Sequence, residues 1–164
     1  MLTMQSYSSN DVLREYPDVE RILSYEIEEP SYARKFVSVF DGWLGEDHYH
    51  LLECRDEIER QERNNKLLSH WELIIDRTPV FFLNEKGHVH QSTDRHAFLA
   101  WCQYSDTKED FAYVLLPAIG AYYKEDWEDT NVVWYSDRKK AQPLFDWANE
   151  CGLHVLDDWR ESID

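Results

Sequence analysis

The sequence predicts an α+β fold, in which N-terminal helices pack on a mixed β-sheet formed by the C-terminal two-thirds of the chain. Three observations predict it: apolar residues at helical spacing before residue 70, short strand-like runs after it, and a strand–helix–strand pattern at the end. The last pattern is typical of a βαβ unit. With 164 residues the chain is long enough for one hydrophobic core. We therefore expect a single domain over residues 1–164, with residues 1–8 frayed.

After short helical runs over residues 10–29, residues 30–68 predict two helices of different character. Pro30 suits a first helical turn, and an apolar stripe at helical period then runs to Gly45, which predicts a buried core helix. The stripe contains Phe36, Val37, Phe40 and Trp43. Residues 46–68 carry acid-before-base pairs at i,i+4, which predict a charged helix on the surface.

Beyond residue 70 the pattern changes to short apolar runs. Residues 71–75, 80–83 and 88–91 are predicted strands, and the last two flank a four-residue turn at 84–87 that ends in glycine. Residues 112–123 are predicted to be mainly extended, because aliphatic and aromatic side chains dominate them.

The C-terminal segment has the clearest signals. Residues 131–136 form a predicted strand, and Asp137 is a suitable N-cap for a helix that ends before Gly152. Residues 153–156 are the final predicted strand, which completes the βαβ unit.

Charge is the strongest compositional feature, since 33 acidic and 17 basic residues give a formal net charge of −16. A field of this sign repels phosphate backbones and anionic lipid surfaces, so we expect no nucleic-acid and no membrane partner. It attracts basic proteins, although solubility alone is the alternative explanation.

The first residues lack a basic and apolar leader, and the three cysteines show no metal-site spacing, so we expect a cytoplasmic protein with reduced thiols.

Two histidine groups raise the alternative of a small metal-assisted hydrolase. One comprises His48, His50 and Glu53, and the other comprises His88 and His90 on one predicted strand. His48 and His50 would point about 200° apart on a regular α-helix, and no third ligand for the second pair is visible. No nucleotide-binding or nucleophile motif is present in the sequence. We therefore predict no metal and no cofactor. A regulatory or structural subunit of a larger assembly is a further alternative.

One short segment combines aromatic and acidic residues and is the predicted partner-binding site. Aromatic side chains are enriched in binding hot spots, and carboxylates steer a basic partner toward its site. These features predict a non-catalytic protein that binds a basic protein, such as an immunity-type inhibitor of a basic toxin or nuclease. The predicted contact residues are Tyr122, Tyr123, Glu125, Asp126, Trp127, Glu128 and Asp129.

Overall fold

The computed structural model describes residues 8–15, 32–83, 88–103, 111–126 and 128–159. Residues 1–7 of the predicted frayed segment 1–8, the predicted turn at 84–87 and Trp127 therefore lie outside the described residues. Ser8 is described, and its hydroxyl donates to the Asp11 carboxylate at 2.7 Å. The helices are α1 (Ser9–Glu15), α2 (Glu57–Arg77), α3 (Arg95–Cys102) and α4 (Arg138–Glu150). The strands are β1 (Ala33–Ser38), β2 (Phe81–Leu83), β3 (Val89–Gln91), β4 (Tyr113–Leu116), β5 (Ala121–Glu125), β6 (Thr130–Tyr135) and β7 (His154–Asp157).

The seven strands of the described residues form one sheet in the order β3-β2-β4-β5-β6-β1-β7, so the coarse α+β class is confirmed. Each pairing between described strands is antiparallel, which corrects the expectation of a mixed sheet. Strands β6 and β7 are nevertheless parallel to each other, since β1 lies between them and runs antiparallel to both. The C-terminal strand–helix–strand is therefore present, but β1 separates its two strands.

The predicted core helix after Pro30 is wrong, because residues 33–38 form strand β1, which lies between β6 and β7 in the sheet. Phe36 is buried on one face of the sheet and Val37 on the other, so the strand shows no alternation of apolar and polar residues. Such a run cannot be told from a helical face by spacing alone. Phe40 is half-buried and Trp43 is 45% exposed, so the second half of the predicted stripe lies outside the core.

The charged helix begins later and ends later than predicted. Residues 46–51 form a 3-10 turn, and α2 begins after Asp56, whose carboxylate accepts the backbone N–H groups of Ile58 and Glu59. The helix then continues to Arg77 through residues 71–75, which were wrongly predicted to be a strand. Its buried positions 70, 71 and 74 follow helical spacing toward the sheet.

The predictions at the C-terminus and for the first hairpin are confirmed within about one residue. Asp137 caps α4 by accepting the N–H groups of Lys139 and Lys140, and Gly152 follows the helix at φ +72°. Strands β2 and β3 pair antiparallel, as expected. The core lies on both faces of the sheet, with α2, α3 and α4 packed on one face and Val12 of α1 on the other.

Candidate functional site

A nearly buried arginine on α2 ties together four segments at one end of the sheet. Arg63 is 8% exposed, and its Nη1 donates to the Leu51 carbonyl at 2.8 Å and to the Asp129 carboxylate at 3.1 Å. Its Nη2 donates to Glu59, and its guanidinium lies 4.9 Å from the centre of the Phe40 ring. The 3-10 turn, α2, the β5–β6 hairpin and the loop after β1 are therefore joined through one side chain.

The charge of this arginine is well compensated. Burial lowers the pKa of Arg63, but hydrogen bonds to Glu59 and Asp129 raise it by more, so the net direction is upward. A buried guanidinium with two carboxylates, a carbonyl and an aromatic face has its donors largely satisfied. The segments around it are therefore held in fixed relative positions.

The surface around Arg63 carries a large part of the negative charge, and we call it the acidic end. Residues 39–63 and 126–130 hold eleven acidic and three basic residues, a net charge of −8 and thus half of the total of −16. Most of these carboxylates belong to exposed residues. The exposed acidic residues are Asp41, Glu46, Asp47, Glu53, Asp56, Glu57, Glu59, Glu62 and Glu128.

The hairpin between β5 and β6 places two non-glycine residues at positive φ within the acidic end. Glu128 has φ 64° and Asp129 has φ 53°, a region that costs a non-glycine residue about 1 kcal/mol. The surroundings fix both: the Asp129 carbonyl accepts from Val39 N at 3.2 Å, and the Glu128 carbonyl accepts from Thr130 Oγ1 at 3.1 Å. Strained backbone held by its neighbours in this way is often found at functional sites.

The residues of the predicted binding segment have different locations in the fold. Tyr122 and Tyr123 are fully buried, so their side chains belong to the core and not to the surface. Glu125 is half-buried, and its carboxylate accepts from Ala112 N at 3.0 Å. Asp126 and Asp129 are half-buried and Glu128 is exposed, while Trp127 lies outside the described residues. The surface part of the segment therefore consists of Asp126, Glu128 and Asp129, which the structure joins to the 3-10 turn and the start of α2.

The Glu59–Arg63 pair is one of the acid-before-base pairs that the sequence predicts, but sequence reasoning missed the burial of Arg63 and its contact with Asp129. It also missed a buried polar network behind the acidic end. His70 of α2 is 0% exposed, and its Nε2 lies 3.1 Å from the Leu144 carbonyl, so Nε2 carries the proton and donates. Its Nδ1 then accepts the Tyr123 hydroxyl proton at 2.7 Å, and the Tyr123 oxygen accepts from Asn131 Nδ2, also at 2.7 Å. The network links α2, α4, β5 and β6.

Burial sets the protonation of this network. It lowers the pKa of His70 to about 4, against the weaker opposing effect of the Leu144 carbonyl. It also raises the pKa of Tyr123, which the hydrogen bond from Asn131 opposes. Both groups are therefore neutral at pH 7.

The histidine groups remain on the surface. The rings of His48 and His50 lie 6.4 Å apart in the 3-10 turn, closer together than a regular α-helix would allow. His88 and His90 are exposed, and the His90 ring lies 5.9 Å from that of Phe82. Within the described ranges, no three His, Cys, Asp or Glu side chains are arranged so that they could hold a metal ion.

The described helices include none that is long and apolar enough to cross a membrane. No protein-family model, curated protein or solved structure matches this chain.

Proposed function

We propose that this protein binds a basic protein partner through its acidic end. The observation that carries the proposal is that half of the net charge lies in 30 residues whose segments are joined by one nearly buried arginine. A fixed cluster of exposed carboxylates accelerates the association of a positively charged partner and orients it.

The acidic end also offers apolar contact area. Tyr49 is 53% exposed and Ile58 is 73% exposed, and both belong to the segments that border Arg63. Exposed apolar side chains among charged neighbours are common at protein-binding surfaces. Long-range steering by the carboxylates and short-range contact by these side chains together suit an inhibitor of a basic toxin or nuclease, which is the narrower form of the proposal.

The first experiment is affinity purification from the cells that make the protein, followed by identification of the retained proteins. We expect a retained partner with a strongly basic isoelectric point that elutes as salt is raised, because exposed charges are screened beyond about 10 Å at 0.1 M salt. Its association rate is then measured by stopped flow at low and high salt.

Two charge-matched double variants locate the contact. Glu46→Gln with Glu128→Gln removes two charges from the acidic end, and we expect the association rate at low salt to fall about five-fold. Asp146→Asn with Glu150→Gln removes two charges from the exposed face of α4, where Glu150 pairs with Arg77 at 2.7 Å, and should change the rate less than two-fold, on the same screening argument. Equal effects of the two variants would contradict binding at the acidic end, and a salt-independent rate would contradict electrostatic capture altogether.

A further inference from the structure

We propose that α2 is fastened to the sheet by an acid-sensitive latch, in which the neutral ring of His70 joins α2 to β5, β6 and α4. The latch is a property of the fold and does not depend on the identity of a partner.

Both nitrogens of the ring have defined roles in the neutral state. Nε2–H donates to the Leu144 carbonyl, and Nδ1 accepts the proton of the Tyr123 hydroxyl. A second proton would enter at Nδ1, where the Tyr123 O–H now donates. The hydroxyl would then have to accept from both His70 and Asn131, and its own proton would lose its present acceptor.

Among the described residues, the Leu144 carbonyl is the one group found to favour a positive charge on His70. The influences on its pKa are burial and the Leu144 carbonyl, and no carboxylate is among them. Other titratable groups act on the Tyr123 end of the network from β5, α3 and the end of α4. They are Glu125, Cys102 and Cys151. A cationic ring would therefore be a buried charge with one carbonyl as compensation, which is strongly unfavourable.

The latch bears on the acidic end because His70 and Arg63 lie seven residues, or two helical turns, apart on the same face of α2. Arg63 contacts Asp129 in the β5–β6 hairpin. His70 contacts the hydroxyl of Tyr123 on β5, which also accepts a hydrogen bond from Asn131 on β6, so this contact lies in the two strands behind the hairpin. If α2 separates from the sheet at His70, Arg63 loses the support that keeps it against Asp129. Acid should therefore loosen the acidic end.

The sign of the pH effect follows from the lowered pKa. The ring titrates at about 4 when latched and at about 6.5 when α2 is open, so the open form binds more protons between these values. The latch is complete above pH 6.5 and weakens as pH falls toward 4. One proton is taken up on opening, so the open population should rise up to about ten-fold per pH unit, and in total about 300-fold between pH values well above 6.5 and well below 4.

Amide hydrogen exchange at pH 7 and pH 5, corrected for the intrinsic rates, tests the latch in the intact protein. We expect the open population of α2 and of the hairpin to rise by about 20-fold from pH 7 to pH 5, while the amides of β2 and β4 change by less than about three-fold. His70→Gln should abolish this response, since its amide can donate to Leu144 and accept from Tyr123 but does not titrate. The control His96→Gln alters an exposed residue of α3 and should keep the response.

Two outcomes would overturn the latch. One is an equal loss of protection in all elements at pH 5, which would mean global destabilisation without a local switch. The other is an unchanged response in His70→Gln. If that variant does not fold, ring resonances of His70 in the wild type decide: a neutral Nε2–H ring at pH 5.5 supports the latch, and a cationic ring with α2 still protected overturns it.

Discussion

The two ends of strands β1 and β6 have opposite charge. The acidic end, around Ser38 and Thr130, carries a net charge of −8. The other end, around Ala33 and Tyr135, we call the basic end. It consists of residues 32–35, 136–140 and 157–159, with five basic and three acidic residues and a net charge of +2.

The acidic residues of the basic end are largely occupied by internal contacts. Arg34 donates two hydrogen bonds to the buried Asp158 at 2.9 and 3.0 Å, and Lys35 pairs with Asp157. Asp137 caps α4. At the acidic end, Arg63 pairs with the carboxylates of Glu59 and Asp129, and many other carboxylates of the described residues there are exposed. Half of the net charge of −16 is therefore concentrated on one surface, which suits a surface that attracts a partner better than one that only confers solubility.

The largest expected effect comes from removing the arginine that organises the acidic end. Arg63→Met should lower the free energy of unfolding by about 3 kcal/mol, because it leaves Asp129 without its charged partner and the Leu51 carbonyl without a donor. Arg63→Lys keeps the charge but not the forked geometry of the guanidinium, so it should lower the free energy of unfolding by about half as much. Urea denaturation measures both. A loss below about 0.5 kcal/mol for Arg63→Met would show that the four segments do not depend on this side chain.

The corresponding change at the basic end tests whether the two ends are independent. Arg34→Met leaves the buried Asp158 carboxylate without its bidentate partner and should also cost about 3 kcal/mol. Because Arg63 and Arg34 contact different residues, the double variant should lose the sum of the two single losses within about 0.5 kcal/mol. A clear deviation from additivity would mean that the two ends are energetically coupled through β1.

A smaller effect, of opposite sign, is expected at the strained hairpin. Glu128 has φ 64° and an exposed side chain, so Glu128→Gly should relieve backbone strain and raise the free energy of unfolding by up to about 1 kcal/mol. The control is Asp129→Gly at φ 53°, where the same relief is offset by the loss of the ion pair with Arg63. We expect Asp129→Gly to be destabilising. If both glycine variants are stabilising, the Arg63–Asp129 contact does not hold the hairpin.

The sequence was informative where local chemistry determines structure. Asp137 begins α4 as its N-cap, and Gly152 follows the end of the helix at positive φ. Capping and backbone conformation both depend on neighbouring residues, so the sequence reveals them. Strand β1 was not predicted, because burial on both faces removes the alternation that identifies a strand. The predicted start of α2 was too early, because the acid–base pairs that indicate this helix begin only at Asp56, which is its N-cap.

The candidate site shows the same difference between local features, which the sequence reveals, and tertiary contacts, which it does not. A run of acids at residues 125–129 is visible in the sequence, but the joining of this run to residues 46–63 depends on Arg63, which lies 66 residues before Asp129. The burial of Tyr122 and Tyr123 likewise follows from the position of β5 inside the sheet. Neither spacing nor composition carries such tertiary information.

The smallest expected effect compares charge removal at the two ends. Asp41→Asn with Glu128→Gln should raise the free energy of unfolding by about 0.5 kcal/mol at low salt, because both residues are exposed among like charges. At the basic end, Lys139→Gln with Lys140→Gln removes attraction to a negative protein but also removes two cations from the N-terminus of α4, where the helix dipole disfavours them. These two effects oppose each other, so we expect a change below about 0.3 kcal/mol. Both changes in the free energy of unfolding should vanish in 1 M salt, where the Debye length is only about 3 Å. Changes of equal size and opposite sign at the two ends would instead mean that stability responds only to total charge, and that the concentration of acids around Arg63 has no local energetic effect.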